Sequence, residues 1–137
     1  TISNAMDVGN PSNFARMLDL YCSTWNNMRL AITGYAINDA ATEDRLREVY
    51  EKYGYVIDPH GAVGYLALKE YQASHPATQG IILETAHPAK FINDVERILD
   101  KDIEVPQRLA TLKDKKKQAI PLDTTFASFK DWLLKNH

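Results

Sequence analysis

The chain has 137 residues, a formal net charge of −2 and 45% hydrophobic residues, which is enough for one domain with a buried core. The near-neutral charge gives no support for a nucleic-acid or anionic-membrane partner, and no apolar run is long enough to span a bilayer. A single cysteine, Cys22, excludes an internal disulfide and favours a reducing compartment, so we expect a cytoplasmic protein.

The first predicted elements are a helix, a strand and a second helix. A helix follows the turn at residues 10–13, because apolar residues recur at helical spacing from Phe14 onwards. Residues 30–37 form an apolar run with β-branched members, which predicts a strand. An amphipathic helix is predicted over residues 42–53, and Gly54 should end it in the left-handed conformation.

Two turns from a strand into a helix come next. Residues 55–57 predict a second short strand, and Asp58 is placed to cap a helix that begins at Pro59. Residues 79–85 predict a third strand, and Pro88 suits the first turn of the following helix. In α/β enzymes, such turns at the carboxyl ends of parallel strands present groups to a cofactor. We therefore expect both turns at one edge of a sheet.

The remaining sequence completes an α/β pattern. A charged segment, residues 105–118, precedes a last helix capped by Thr124 or Thr125. The order of elements predicts an α/β fold, as part of a three-layer arrangement with helices on both faces of a sheet. Three short strands make a thin sheet for a free-standing domain, and the chain begins with Thr1. We therefore expect a chain cut from something longer.

Polar side chains at the two turns are the candidate site residues. The Thr85 hydroxyl could bond a heteroaromatic ring nitrogen, although capping the helix at Pro88 would explain it equally well. Capping alone would explain Asp58. His60 and His87 could contact a phosphate or carboxylate, act as acid and base, or bond a neighbouring loop.

Lys90 is a further candidate because the first turn of a helix disfavours a cation. This position favours an anionic partner, which could be a substrate group or the side chain of Asp58 or Glu84. A plain surface lysine is the alternative. The histidines and the cysteine lack the close spacing of metal ligands, so no metal site is predicted.

Three motifs, in this order and spacing, resemble the C-terminal part of threonine synthase. They are AMDVGNPSN at residues 5–13, DPHGAVG at residues 58–64 and TAHPAKF at residues 85–91. The closing helix is also similar, so the resemblance covers nearly the whole chain. It implies the C-terminal portion of a fold-type-II pyridoxal-phosphate enzyme. That family converts O-phosphohomoserine and water to threonine and phosphate.

The resemblance also implies roles for the residues at the two turns. Thr85 stands where this family places a hydroxyl against the pyridine nitrogen of the cofactor. Asp58 and His60 fall near the cofactor's edge, and His87 and Lys90 are possible contacts to substrate or cofactor. These roles are expectations carried by the resemblance.

Two elements of the family are absent from this sequence: the Schiff-base lysine and the glycine-rich loop that cradles the cofactor phosphate. We therefore expect no catalytic residue here, no activity of the chain alone and no retention of pyridoxal phosphate. Residues 1–104 are assigned to the C-terminal part of the cofactor-binding α/β domain, and residues 105–137 to a charged loop and closing helix. Exposed apolar surface could lead to self-association.

Two other functions stay open at this point. A small α/β module without catalysis could bind a regulatory ligand or a partner at the same turns. A related pyridoxal-phosphate lyase, such as threonine dehydratase or cysteate synthase, would differ in its substrate pocket and share the ring contact.

Overall fold

A computed structural model describes residues 1–4, 9–112, 115–116 and 118–136, and its regular secondary structure is entirely helical. The first family motif therefore lies partly outside the described residues. The helices are α1 (Phe14–Leu20), α2 (Trp25–Ala31), α3 (Asp39–Tyr53), α4 (Pro59–Ser74), α5 (Ile92–Leu99), α6 (Gln107–Ala110) and α7 (Phe126–Asn136), with a 3-10 turn at Pro88–Phe91. Within this part of the chain, no helix has the length and apolar character that crossing a bilayer requires.

The predicted α/β fold is wrong, because the described residues contain no strand and no sheet. Of the predicted strand at 30–37, the first two residues lie in α2 and residues 32–37 are irregular. The segments predicted as strands at 55–57 and 79–85 are also irregular. A strand needs a neighbour that pairs with its N–H and C=O groups, and these segments do not pair with one another. Apolar, β-branched runs indicate a preference for extended backbone, but they do not supply the partner strand.

The core of the first compact unit, Thr1–Val105, lies between α3, α4 and α5. Its buried residues are Leu46, Val49, Ile57, Ala62 and Ile98. Helix α3 begins earlier than predicted, because the Asn38 side chain accepts a hydrogen bond from Ala41 N at 2.9 Å. It ends at Gly54, whose φ of 65° confirms the predicted left-handed cap.

Helix α4 begins as the sequence predicts, and the 79–85 segment packs closely against it. Asp58 is its N-cap and Pro59 its first residue. A Cβ atom at Gly64 would lie 3.3 Å from Ile82 Cγ2, and one at Gly80 would lie 2.1 Å from Leu68 Cδ1. The absence of side chains at these two glycines therefore permits the close approach that places Glu84 near the start of α4.

Helix α5 follows the 3-10 turn, with Pro88 as the first residue of that turn. Val95, a residue of α5, is fully buried. Two long-range contacts tie α5 to α3: Arg97 pairs with Glu43 at 2.8 Å, and Arg47 Nε donates to Ile98 O at 3.1 Å. These contacts fix the elements on either side of the two turns that carry the candidate residues.

The second compact unit comprises Pro106–His137 and contains α6 and α7. Ser128 N donates to Thr125 Oγ1 at 3.3 Å, which confirms one of the two predicted caps of α7. Hydrogen bonds from Ser128 and Thr125 lower the pKa of Asp123 to about 2. The assignment of residues 1–104 to a cofactor-binding domain stays a prediction.

Candidate functional site

A cavity opens beside the second predicted turn, within the first unit. Its volume is about 490 Å³. The lining residues are Tyr55, Val56, Glu84, Thr85, Ala86, His87, Pro88, Ile103 and Glu104. The structure thus brings Thr85 and His87 to one wall, together with Tyr55 and Glu84, which the sequence had not singled out as site residues. Among the described residues, no group of three or more His, Cys, Asp or Glu side chains could hold a metal ion.

The hydroxyl of Thr85 is available to a ligand. Thr85 is exposed, and the described part of the chain contains no hydrogen bond to its side chain. The capping role considered for Thr85 is filled by His87, whose Nδ1 accepts from Ala89 N at 3.1 Å. The capping explanation of Thr85 is therefore wrong, since a different residue satisfies the start of the 3-10 turn.

His87 presents one defined donor on the same wall. Because its Nδ1 accepts the hydrogen bond from Ala89 N, the neutral ring carries its proton on Nε2. Lys90 is exposed and is not one of the lining residues. Within the described ranges it makes no ion pair with Asp58 or Glu84, so the acidic partners considered for it are not found there.

Asp58 and His60 form a pair at the start of α4, and neither residue lines the cavity. Asp58 is fully buried, and its Oδ1 accepts from His60 N at 2.8 Å and from His60 Nδ1 at 2.9 Å. The His60 ring also packs against Phe91, with 5.1 Å between ring centroids. Both side chains are thus held by protein contacts at the start of α4.

Glu84 lines the cavity and also contacts Asp58 of this pair. Asp58 N donates to Glu84 Oε1 at 3.1 Å across 26 positions of sequence. The Glu84 carboxylate lies directly over Gly61, where a Cβ atom would be 2.5 Å from Oε1 and 2.8 Å from Oε2. The position of Glu84 directly after the apolar run 81–83 could have marked it as a candidate site residue. The sequence does not indicate that Asp58 is its neighbour in space.

The two carboxyl groups have opposite electrostatic environments. Burial raises the pKa of Glu84 to about 7, and the carboxyl group of Asp58 acts in the same direction through its side-chain interaction and its charge, against the lowering effect of the Asp58 N–H bond. Burial alone would raise the pKa of Asp58, but hydrogen bonds from Glu84 and His60 outweigh it and lower that pKa. Of the two carboxyl groups, Asp58 is therefore the one that ionises at the lower pH.

Glu84 and Tyr55 also line a second cavity of about 380 Å³, together with Val49, Tyr53, Ile57, Tyr65 and Ile82. Burial and the neighbouring Glu84 raise the pKa of Tyr55, so its hydroxyl stays protonated at neutral pH. The first cavity thus offers hydroxyl, imidazole and carboxyl groups that can bond a polar heteroaromatic ligand. No lysine is among its lining residues.

The sequence model described as "Threonine synthase, C-terminal" matches residues 61–132, which is more than half of the chain. The chain belongs to the threonine synthase family. This finding confirms the resemblance that the three motifs indicated. The match includes Glu84, Thr85, His87 and Lys90.

Individual threonine synthases agree with the family assignment. The chain is 39% identical to threonine synthase from Escherichia coli K12, with 100% of the chain and 31% of that relative covered. Identity to threonine synthase from Buchnera aphidicola subsp. Acyrthosiphon pisum is 37%, with 98% of the chain and 30% of the relative covered. The chain thus spans about three tenths of the length of these curated relatives.

Solved threonine synthase structures are also similar to this chain. The crystal structure of the Escherichia coli enzyme gives a TM-score of 0.81 at 36% identity, covering 100% of this chain and 31% of the other. A pyridoxal-phosphate-bound threonine synthase from Brucella melitensis gives a TM-score of 0.58 at 24% identity, covering 97% and 33% respectively. The second comparison shows a shared fold only.

Proposed function

We propose that this chain forms one wall of the active site of a threonine synthase that converts O-phosphohomoserine and water to threonine and phosphate. The observation that carries the proposal is the Thr85 hydroxyl on a cavity wall, which no described residue bonds and which lies within the segment that matches the threonine synthase family. The proposed cofactor is pyridoxal phosphate, which the Brucella melitensis relative binds.

The residues of the cavity fit one edge of this cofactor. A threonine hydroxyl can donate or accept a hydrogen bond, which suits a pyridine nitrogen. The volume of about 490 Å³ falls in the range of roughly 300–1,000 Å³ that is usual for small-molecule sites. A lysine anchor and a glycine-rich phosphate cradle are not among the lining residues, so in this proposal other residues provide them.

Each polar residue then has a proposed part in holding the ring. Bound pyridoxal phosphate supplies an electron sink for proton abstraction from the substrate. Thr85 orients the ring by a hydrogen bond at its nitrogen. Asp58 and His60 do not line the cavity, so their proposed part is indirect: they hold the start of α4 near the cofactor's edge. His87 offers Nε2–H to a substrate or cofactor oxygen, and Lys90 is a further candidate for an anionic group.

The chain alone is proposed to be inactive and not to retain the cofactor. Ile81 and Leu83 are 90% and 78% exposed, which supports self-association through this apolar surface when the chain is isolated. A cytoplasmic location, favoured by the single cysteine, is part of the same proposal.

Phosphate release from O-phosphohomoserine with added pyridoxal phosphate tests the proposal. The assay compares the longest reading frame that contains this segment, its Thr85→Val and Thr85→Ser variants, and the 137-residue chain alone. We expect activity in the long chain, none in the segment, a loss of roughly 10- to 100-fold in Thr85→Val, and recovery in Thr85→Ser. Equal activity of the valine variant would refute the role of Thr85. Cofactor binding without phosphate release would indicate a related lyase.

A further inference from the structure

The carboxyl groups of Asp58 and Glu84 each accept a hydrogen bond at one oxygen, and the second oxygen of Asp58 is left without an N–H donor. Asp58 Oδ1 accepts from His60 N and His60 Nδ1, whereas Asp58 Oδ2 is buried and accepts no N–H hydrogen bond among the described residues. Glu84 Oε1 accepts from Asp58 N, and Oε2 lies beside it over Gly61. A buried carboxylate oxygen without a donor is costly, so a proton between the two carboxyl groups would satisfy it.

We propose that Glu84 is a positioning residue whose protonated carboxyl donates a hydrogen bond to Asp58 Oδ2 and thereby fixes the adjacent Thr85 on the cavity wall. The proton stays on a Glu84 oxygen, and no bond is broken. Glu84 then makes two hydrogen bonds to a single residue, one to the backbone N–H of Asp58 and one to its carboxylate. Because Asp58 caps α4, this arrangement joins residue 84 to the rigid start of a helix.

The surrounding groups favour this state over two ionised carboxylates. Asp58 is fully buried and carries the negative charge, with His60 as its donor on α4. The other titratable groups that share a cavity wall with Glu84 are Tyr55, His87, Glu104, Tyr53 and Tyr65. Ionisation of Glu84 would bring a second negative charge next to Asp58, and the raised pKa of Glu84, about 7, agrees with that cost.

Gly61 makes the contact between Glu84 and Asp58 possible. Its missing side chain leaves the space in which the Glu84 carboxylate sits, because any Cβ there would be closer than 3.0 Å to both oxygens. The inference rests on the proposed function in one respect: positioning Thr85 matters for a cofactor only if Thr85 contacts it. The shared proton itself is independent of any ligand.

Carboxyl-carbon NMR of the 137-residue chain tests the pair without a cofactor. Glu84 Cδ should titrate with a midpoint near pH 7, and the Thr85 amide resonance should follow the same curve. In Asp58→Asn the midpoint should fall towards 4.5, the ordinary value for a glutamate. In Glu84→Gln the amide donates permanently to Asp58, so the Thr85 resonance should keep its low-pH position throughout. Glu104→Gln, on the same wall, is the matched control and should leave the Glu84 midpoint unchanged.

The outcomes separate this inference from the proposed function. A titration midpoint of Glu84 near 4.5 in the unmodified chain would overturn the inference. A Thr85 amide resonance that does not shift with the titration of Glu84 would also overturn it. Binding of pyridoxine phosphate to the longest reading frame, measured by calorimetry, is the independent arm. If Glu84 and Thr85 titrate together, the inference holds whether or not this ligand binds. Failure to bind would count against the proposed function alone.

Discussion

Replacing Asp58 with alanine should destabilise the chain far more than replacing it with asparagine. Asp58 caps α4 through His60 N at 2.8 Å and accepts a second hydrogen bond from His60 Nδ1 at 2.9 Å. Asparagine keeps an oxygen for both donors, and its amide group can donate to Glu84. Alanine removes every one of these contacts from a fully buried position.

The magnitude follows from the two contacts that alanine removes. Loss of an N-cap side chain costs about 1 kcal/mol. A hydrogen bond to a charged group contributes about 1.5–3 kcal/mol, and this one belongs at the lower end because the His60 side chain is 31% exposed. We therefore expect Asp58→Ala to lower the free energy of unfolding by about 2–3 kcal/mol. Asp58→Asn should lower it by less than about 1 kcal/mol, since asparagine caps helices as well as aspartate does.

Urea unfolding followed by helical circular dichroism measures both variants against the unmodified chain. The comparison is made near pH 6, where Glu84 is protonated in the unmodified chain, and requires equal m-values. If the alanine and asparagine variants differ by less than about 0.5 kcal/mol, the capping and pairing contacts of Asp58 do not carry the stability assigned to them.

Three further predictions concern stability. Leu46→Ala, at a core position that is 1% exposed, should cost about 2–5 kcal/mol in urea unfolding, and a cost below about 1 kcal/mol would contradict the core described above. Gly54→Ala should cost about 1–2 kcal/mol because φ is 65°, whereas Gly34→Ala, with no atom within 4 Å, should be neutral or slightly stabilising in the same measurement. The stability contribution of Glu84 should be fully present below about pH 4.5 and lost as pH rises through about 7, because its folded-state pKa is raised. Thermal unfolding across this window should show that decline in the unmodified chain and not in Glu84→Gln; equal pH profiles would argue against a protonated Glu84.

Local signals in the sequence predicted how helices start and stop. Gly54, Asp58 and Pro88 were each assigned a position at a helix end, and the structure places them there. These positions depend on backbone conformation and on bonds to residues a few places away, which neighbouring sequence determines. The family could also be predicted from the sequence, because three motifs in the same order and spacing are specific to it.

The strands and the Glu84 contact could not be predicted in this way. A strand depends on a partner segment, and an apolar run such as 79–85 has the same composition with or without one. The contact between Glu84 and Asp58 N spans 26 positions, so no local pattern records it. The cap at the 3-10 turn was ambiguous for a different reason: Thr85 and His87 both carry a suitable acceptor, and in the structure it is His87 that accepts the hydrogen bond.

The contact between Gly61 and the Glu84 carboxylate has an evolutionary consequence. A side chain at position 61 would take the volume that the carboxyl group now fills, so the two positions are not free to vary independently. A Cβ at position 61 would also lie 2.7 Å from Ile57 Cγ1. Within the family, lineages that gain a side chain at position 61 should therefore carry smaller residues at both position 84 and position 57. The order in which such substitutions accumulate is thus constrained by the space around one glycine at the start of one helix.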